Sequence, residues 1–182
     1  MIGIRFEDLP ALTEGAGEVD ETPRTGEDPA NYVVRLARTK AVAAVHWVET
    51  RSLRACPVLA ADTTVALGRR IFGKPDNAQH AAAFLAELSG RRHDVFTAVA
   101  VACEGRIETE LSASAVEFRQ LSDTEIERYV ASGEPLDKAG AYAIQGEAAA
   151  FVRALNGSYS GIMGLPVFQT LDLLRRFGVE PM

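Results

Sequence analysis

Apolar positions recur along this chain in two rhythms, one helical and one strand-like. Tyr32, Leu36 and Ala43 fall at helical spacing behind Asp28-Pro29, an aspartate cap followed by proline in the first turn. The pattern predicts a helix from there to about Val48. The run Val58 to Leu67 is short, apolar and interrupted by Asp62, and reads as a buried strand carrying one acid. Gly68 marks a turn with a short return to Gly73. Asp76 is placed to cap a second helix, Ala78 to Leu88, which is alanine-rich and stops at Gly90. Two long strands follow, about Asp94 to Cys103 and Ile107 to Phe118, joined at Glu104-Gly105. Ser122-Asp123-Thr124-Glu125 is a capping box that opens a third helix to about Ala131. Gly140 to Gln145 and Phe151 to Leu155 read as short strands, and Pro166 opens a last helix through Phe177. Met1 to Phe6 reads as a strand remnant leading into a Gly/Glu/Pro-rich loop.

This alternation predicts an α/β fold, a mixed twisted sheet with flanking helices. At 182 residues the chain fits one domain, or two lobes sharing a core. It has 47% hydrophobic and 24% charged residues, an ordinary globular balance. The formal charge of -6 offers no basic excess to displace counterions from nucleic acid, so no nucleic-acid partner is expected. Cys56 and Cys103 form no CxxC pair, and His46, His80 and His93 lack zinc-site spacing. No apolar run approaches the roughly 20 residues that span a bilayer. The N-terminus lacks a signal-peptide pattern. A cytoplasmic protein with no membrane partner is the expectation.

Asp62 is the sharpest single feature. A carboxylate inside Val58 to Val65 must meet a metal, a base or a donor network, or else cap a turn at the strand end. Lys74, in Gly73-Lys74-Pro75, reads either as an ammonium held toward an anion or as a solvated loop lysine. Lys138, in the permissive loop Gly133 to Gly140, is similarly open. Lys40 projects near the buried face of the first helix, as a site residue or a snorkelling one. Glu14, Glu18, Asp20, Glu21 and Glu27 crowd the first loop, a solvated acidic stretch or the source of a hard oxygen ligand beside Asp62. There is no Walker A motif, GxGxxG or nucleophile elbow.

Taken in order, several short segments resemble the Maf family, the septum-formation-inhibitor-like proteins. They include Val19-Asp20-Glu21-Thr22-Pro23, Tyr32 to Arg38 with Lys40-Ala41, Ala61-Asp62-Thr63 and Gly73-Lys74-Pro75. Leu88-Ser89-Gly90 with His93 and Thr97, Tyr129-Val130 with Gly133-Glu134-Pro135, Asp137 to Tyr142 with Gln145-Gly146, and Gly157-Ser158-Tyr159 with Gly164-Leu165-Pro166 complete the set. Each piece is weak; the ordered series over residues 19 to 177 is specific. The resemblance implies one Maf-like domain over residues 1–182. It implies two lobes around a cleft, similar to the inosine-triphosphate pyrophosphatase fold. The implied activity is cleavage of nucleoside triphosphates between the α and β phosphates.

By the same resemblance Asp62 is the proton acceptor and Glu21 an acid near a divalent metal, Mg²⁺ or Mn²⁺, which Asp62 shares. Lys40, Lys74 and Lys138 surround the triphosphate, and Thr63 and Gln145 bear on nucleotide choice. Asp-Thr with Gln-Gly resembles the branch acting on dTTP and UTP, whereas Asp-Gln with Glu-Gly marks the 7-methyl-GTP branch. A homodimer is implied as well. Members ordinarily open with a strand, a loop reading Leu-Ala-Ser-x-Ser-Pro-Arg-Arg and a helix before the match to Gly3-Ile4-Arg5-Phe6. Here Met1 stands directly before that match, so the expectation is a start placed late or a shortened relative. In a shortened relative the sheet would lose a strand and the cleft a guanidinium. A lost phosphate contact of that kind costs about 10²–10³ in rate. The competing expectation is a catalytically impaired nucleotide-binding or cell-division regulatory remnant.

Overall fold

The computed structural model describes Glu7, Leu9 and residues 19–180. The strand expected at Met1 to Phe6, and Glu14 and Glu18 of the acidic loop, lie outside the described residues. The first helix, α1, spans Pro29–Thr50, and the Asp28 carboxylate accepts from the Ala30 and Asn31 amides. Strand β1 is Val58–Leu67 and β2 is Arg70–Phe72. Helix α2 is Ala78–Leu88, and its cap is Asn77, not the expected Asp76. The Asn77 side chain accepts from the His80 amide, while Asp76 lies one residue too early and pairs with the His80 ring at 3.0 Å. Strands β3, Arg92–Cys103, and β4, Arg106–Phe118, form the long hairpin. Helix α3, Asp123–Ala131, carries the capping box intact.

Beyond α3 the expectation of a strand at Gly140 to Gln145 fails. The chain instead makes 3₁₀ turns at Glu134–Asp137, Ala139–Ala141 and Glu147–Phe151. Two successive residues explain it. Gly140 and Ala141 both take positive φ, +71° and +59°, which breaks any extended run. A Cβ on Gly140 would also sit 2.7 Å from a Val65 methyl. Strand β5, Val152–Asn156, then joins the sheet, and α4, Tyr159–Ile162, and α5, Val167–Arg176, close the chain.

The five strands lie in the order β2-β1-β3-β4-β5, and every described pairing is antiparallel. Side chains on β3 alternate between faces, as strand geometry requires. Ala98, Ala100 and Ala102 meet Tyr32, Val33, Leu36 and Ala37 of α1. Val99 and Val101 meet Leu173 and Leu174 of α5. Covered on both faces, β3 reads as a nearly continuous apolar run. The alanines let α1 lie close on the sheet. A second core gathers α2, α3 and the 3₁₀ turns around Phe72, Leu85, Leu88, Val116, Phe118, Tyr129 and Tyr142. No described helix is long and apolar enough to cross a membrane.

His93 is buried in the second core, its Nε2 2.9 Å from the Tyr142 hydroxyl and its ring edge-on to Phe118. Burial pulls its pKa down from 6.5 to about 4. The unfolded chain therefore takes up a proton near pH 6.5 that the folded protein refuses until about pH 4. Stability from this residue is complete above pH 6.5 and is lost as pH falls through about 4. The expected loss is about 3 kcal/mol. Urea unfolding of wild type and His93→Gln at pH 7, 5 and 4 checks it: the gap between the two proteins should shrink as pH falls.

Candidate active site

Strand β1 runs from one apolar core to another, and its polar residues stand between them. Ala60 packs with the α1 core and Ala61 with the α5 core, while Val65 belongs to the core of α2 and α3. Asp62, Thr63 and Thr64 lie between, on the wall of a cavity of about 380 Å³. β2 pairs only with Val65 to Leu67, so among the described residues the rest of β1 has one edge without a partner strand. Side chains from both faces of β1 reach the cleft around that edge. Glu21, Lys40, Asp62, Thr63, Lys74, Lys138 and Gln145 all line this one cavity.

Lys40 on α1 is the hinge of the charge arrangement. Its Nζ lies 2.6 Å from Asp62 Oδ1 and 2.6 Å from Glu21 Oε1. The Asp62 side chain is only 9% exposed, Lys40 25% and Glu21 47%. A carboxylate buried that deeply without a partner would cost several kcal/mol. Burial pushes the Asp62 carboxyl above the ordinary carboxylate range; Lys40 opposes the shift and the Glu21 charge reinforces it. Burial acts on Lys40 in the other direction, but its bonds to Asp62 and Glu21 outweigh it and the ammonium is held charged. The result is a carboxylate easier to protonate than usual beside a fixed cation, the setting of a general base.

Lys74 and Lys138 reach the cavity from two loops joined by main chain. The Gly140 amide donates to the Gly73 carbonyl at 3.0 Å, which places the two lysine-bearing turns side by side. Lys138 Nζ is held by both Asp137 oxygens, at 2.8 and 2.7 Å. Glu21 is positioned in turn by α1: Tyr32 donates to its carbonyl at 2.8 Å, and Arg35 reaches the Thr22 carbonyl and grips Glu27. The cleft thus brings three ammonium groups and two converging carboxylates to one concave, partly buried surface.

A family model described as Maf-like protein matches residues 5–177. The chain belongs to the Maf family. Among its relatives, proteins named dTTP/UTP pyrophosphatase cover almost the whole chain. One from Nitrosomonas europaea is 51% identical over 182 residues, 98% of this chain and 87% of its own. One from Aromatoleum aromaticum is 52% identical over 181 residues, 97% and 87% of the two chains. One from Dechloromonas aromatica is 50% identical over 184 residues, 100% and 91%.

In this Maf chain the donor set can be tested against the divalent metal that the resemblance implies. Among the described residues no three His, Cys, Asp or Glu side chains cluster. Glu21 and Asp62 nonetheless converge on one cation position, occupied by the Lys40 ammonium. Mg²⁺ is ordinarily held by one or two carboxylates with substrate phosphates and water completing the shell. The residues fit that mode.

The Maf cleft also contains a support that residue spacing did not reveal. Gln145 is exposed at the apex of a turn closed by the Gly146 amide donating to the Ala143 carbonyl, 3.0 Å. Both ends of the turn are anchored on α3 and its following loop. The Ala143 amide donates to the Tyr129 hydroxyl at 3.2 Å, and the Glu147 amide donates to Glu134 at 3.2 Å. The Tyr129 hydroxyl itself donates to Glu134 at 2.8 Å. Burial keeps that phenol protonated, well above its ordinary range, so it remains a donor. Tyr129 and Glu134 stood in the matched segments, but only the fold shows them beneath Gln145.

The Glu134 carboxylate fills the space where a side chain on Gly146 would go. Gly146→Ala is therefore expected to destabilise by about 1–3 kcal/mol through overpacking. In a Glu134→Ala background the same substitution should cost less than half as much. A double-mutant cycle by denaturant unfolding reads the difference.

Proposed function

We propose that this chain hydrolyses dTTP and UTP to the nucleoside monophosphate and pyrophosphate. The observation that carries the reading is Asp62, nine-tenths buried at the edge of β1, gripped by Lys40 and facing a cavity that Lys74 and Lys138 also line. The relatives' printed names point to the same substrates.

A triphosphate carries several negative charges that repel an incoming nucleophile. Lys74 and Lys138 neutralise part of that charge, and Lys138 exchanges its Asp137 partner for a phosphate oxygen. Asp62 accepts a proton from a water molecule as the water oxygen bonds to the α-phosphorus. The bond from that phosphorus to the bridging oxygen breaks, and pyrophosphate leaves with the electron pair. Lys40 keeps the Asp62 carboxylate oriented for the proton transfer. Glu21 and Asp62 would hold Mg²⁺ or Mn²⁺ through the carboxylate oxygens that Lys40 does not bond, and the ion would withdraw charge from the phosphate oxygens. Thr63 and Gln145 face the base: Gln145 offers an amide that both donates and accepts, and Thr63 a hydroxyl.

Pyrophosphate release with dTTP, UTP, GTP and ATP plus Mg²⁺ tests the proposal. Release with dTTP and UTP is expected; nucleotide binding without release would support a non-catalytic nucleotide-binding protein instead. Asp62→Asn should abolish turnover, by roughly 10³-fold or more, and melt no lower than wild type. Because the Asp62 pKa is raised, kcat/KM should fall on the acid side at a higher pH than an ordinary aspartate would give. Retention of most activity in Asp62→Asn sinks the assignment.

A further inference from the structure

Thr63 and Thr97 stand opposite each other in the β1–β3 register, with their hydroxyl oxygens 2.9 Å apart. Thr97 is buried, and its oxygen lies 2.7 Å from the Gly161 carbonyl. A carbonyl can only accept, so the single Thr97 hydrogen is committed to Gly161. Thr97 then has only lone pairs to offer Thr63. The Thr63 hydroxyl must donate to Thr97, and what remains on the Thr63 oxygen is acceptor capacity alone.

The anchor of this relay does not turn. The Gly161 carbonyl also accepts the Gly164 amide at 3.0 Å, which closes the end of α4. Gly161 is wedged against β4: a Cβ there would sit 2.6 Å from Ser112 Oγ and 3.2 Å from Ser158 Cβ. The hydrogen-bond direction at the cleft wall therefore originates in a fixed main-chain dipole on the far side of β3. On the cleft side Gly164 comes near Thr63 without covering it, since even a Cβ at that position would be 3.6 Å from the Thr63 oxygen.

We propose that Thr97 is a positioning residue that makes Thr63 an obligate acceptor, so that the cleft favours a pyrimidine with a hydrogen on ring nitrogen 3 over cytosine. Uracil and thymine carry that N–H. Cytosine presents a lone pair at the same place, and two acceptors facing each other repel. This rests on the reading above that the base lies against Thr63, taken with ring nitrogen 3 toward the Thr63 oxygen. It adds the reason one hydroxyl, able in principle to donate or accept, selects between two rings of the same size. A free threonine would rotate to suit either base; the relay removes that freedom.

The test is the ratio of kcat/KM for UTP over CTP. In Thr97→Val, which keeps shape and removes the relay, the ratio should narrow by about tenfold, the scale of one hydrogen bond. Thr97→Ser should keep the wild-type ratio. Thr63→Val should narrow it at least as far. A narrowed ratio in Thr63→Val with an unchanged ratio in Thr97→Val overturns the inference and leaves the site reading standing. An unchanged ratio in Thr63→Val sinks both. Should Thr97→Val not fold, the wild-type enzyme still decides. UTP methylated at ring nitrogen 3 should be turned over about tenfold or more less efficiently than UTP, and equal turnover overturns the proposal.

Discussion

The Lys40 ammonium, held between Asp62 and Glu21, is the contact on which the rest of the cleft depends. Take it away and two carboxylates face each other across a partly buried surface, a state that costs several kcal/mol and that the fold would relieve by moving one of them out. With it in place, Asp62 can stay on a strand between two apolar cores. The requirement propagates backwards into packing. Lys40 reaches β1 only because α1 lies close on the sheet, and it lies close because the facing β3 side chains are Ala98, Ala100 and Ala102. Larger residues there would lift the helix and its lysine together. Tyr32 and Arg35, on the same helix, tie down the loop that brings Glu21.

The same strand explains why one cavity can serve two chemical tasks. Successive residues of a strand point to opposite faces, so Asp62 and Thr63 ought to belong to different surfaces. Both border the cleft because β2 leaves that stretch of β1 without a partner on its outer side among the described residues. Asp62 looks toward α1 and its lysine, the side of charge. Thr63 looks toward Thr97 and the α4 turn, the side of hydrogen-bond direction. A phosphate chain and a base have opposite demands, and in the proposed reading adjacent residues of one strand meet them from opposite faces.

Much of this was legible in the residues. α1, β1, the β3–β4 hairpin and the Ser122 capping box follow from periodicity and turn chemistry, because their local preferences agree with the fold. The lone acid in β1 stood out because burial makes it anomalous. What failed was local and has local causes. Asp76 and Asn77 are both good caps, and only the backbone at Asn77 decides between them. Gly140 to Gln145 looks extended by composition, yet Ala141 at positive φ is a conformation that tertiary contacts impose and no propensity announces. The relay through Thr97 was out of reach altogether. It joins residues 34 and 64 positions apart in the chain, and its direction depends on which atom is a carbonyl.

The side chains of the cleft share a further property that bears on how it works. Thr97 ends on the Gly161 carbonyl, Tyr32 on the Glu21 carbonyl, and Tyr129 and Glu134 on the amides of Ala143 and Glu147. Each of these four side chains is thus anchored to main chain, which cannot choose between donating and accepting. A side chain paired only with another side chain can swap roles or rotate; one paired with an amide or carbonyl cannot. Discrimination between rings of equal size requires donors and acceptors that do not adapt to the wrong ligand. Anchoring on the backbone supplies that rigidity. The ion pairs of the cleft, Lys138 with Asp137 and Lys40 with Glu21 and Asp62, join side chain to side chain instead. In the proposed reading, the Lys138 ion pair can give way to a phosphate oxygen, while the groups proposed to meet the base are set by the backbone.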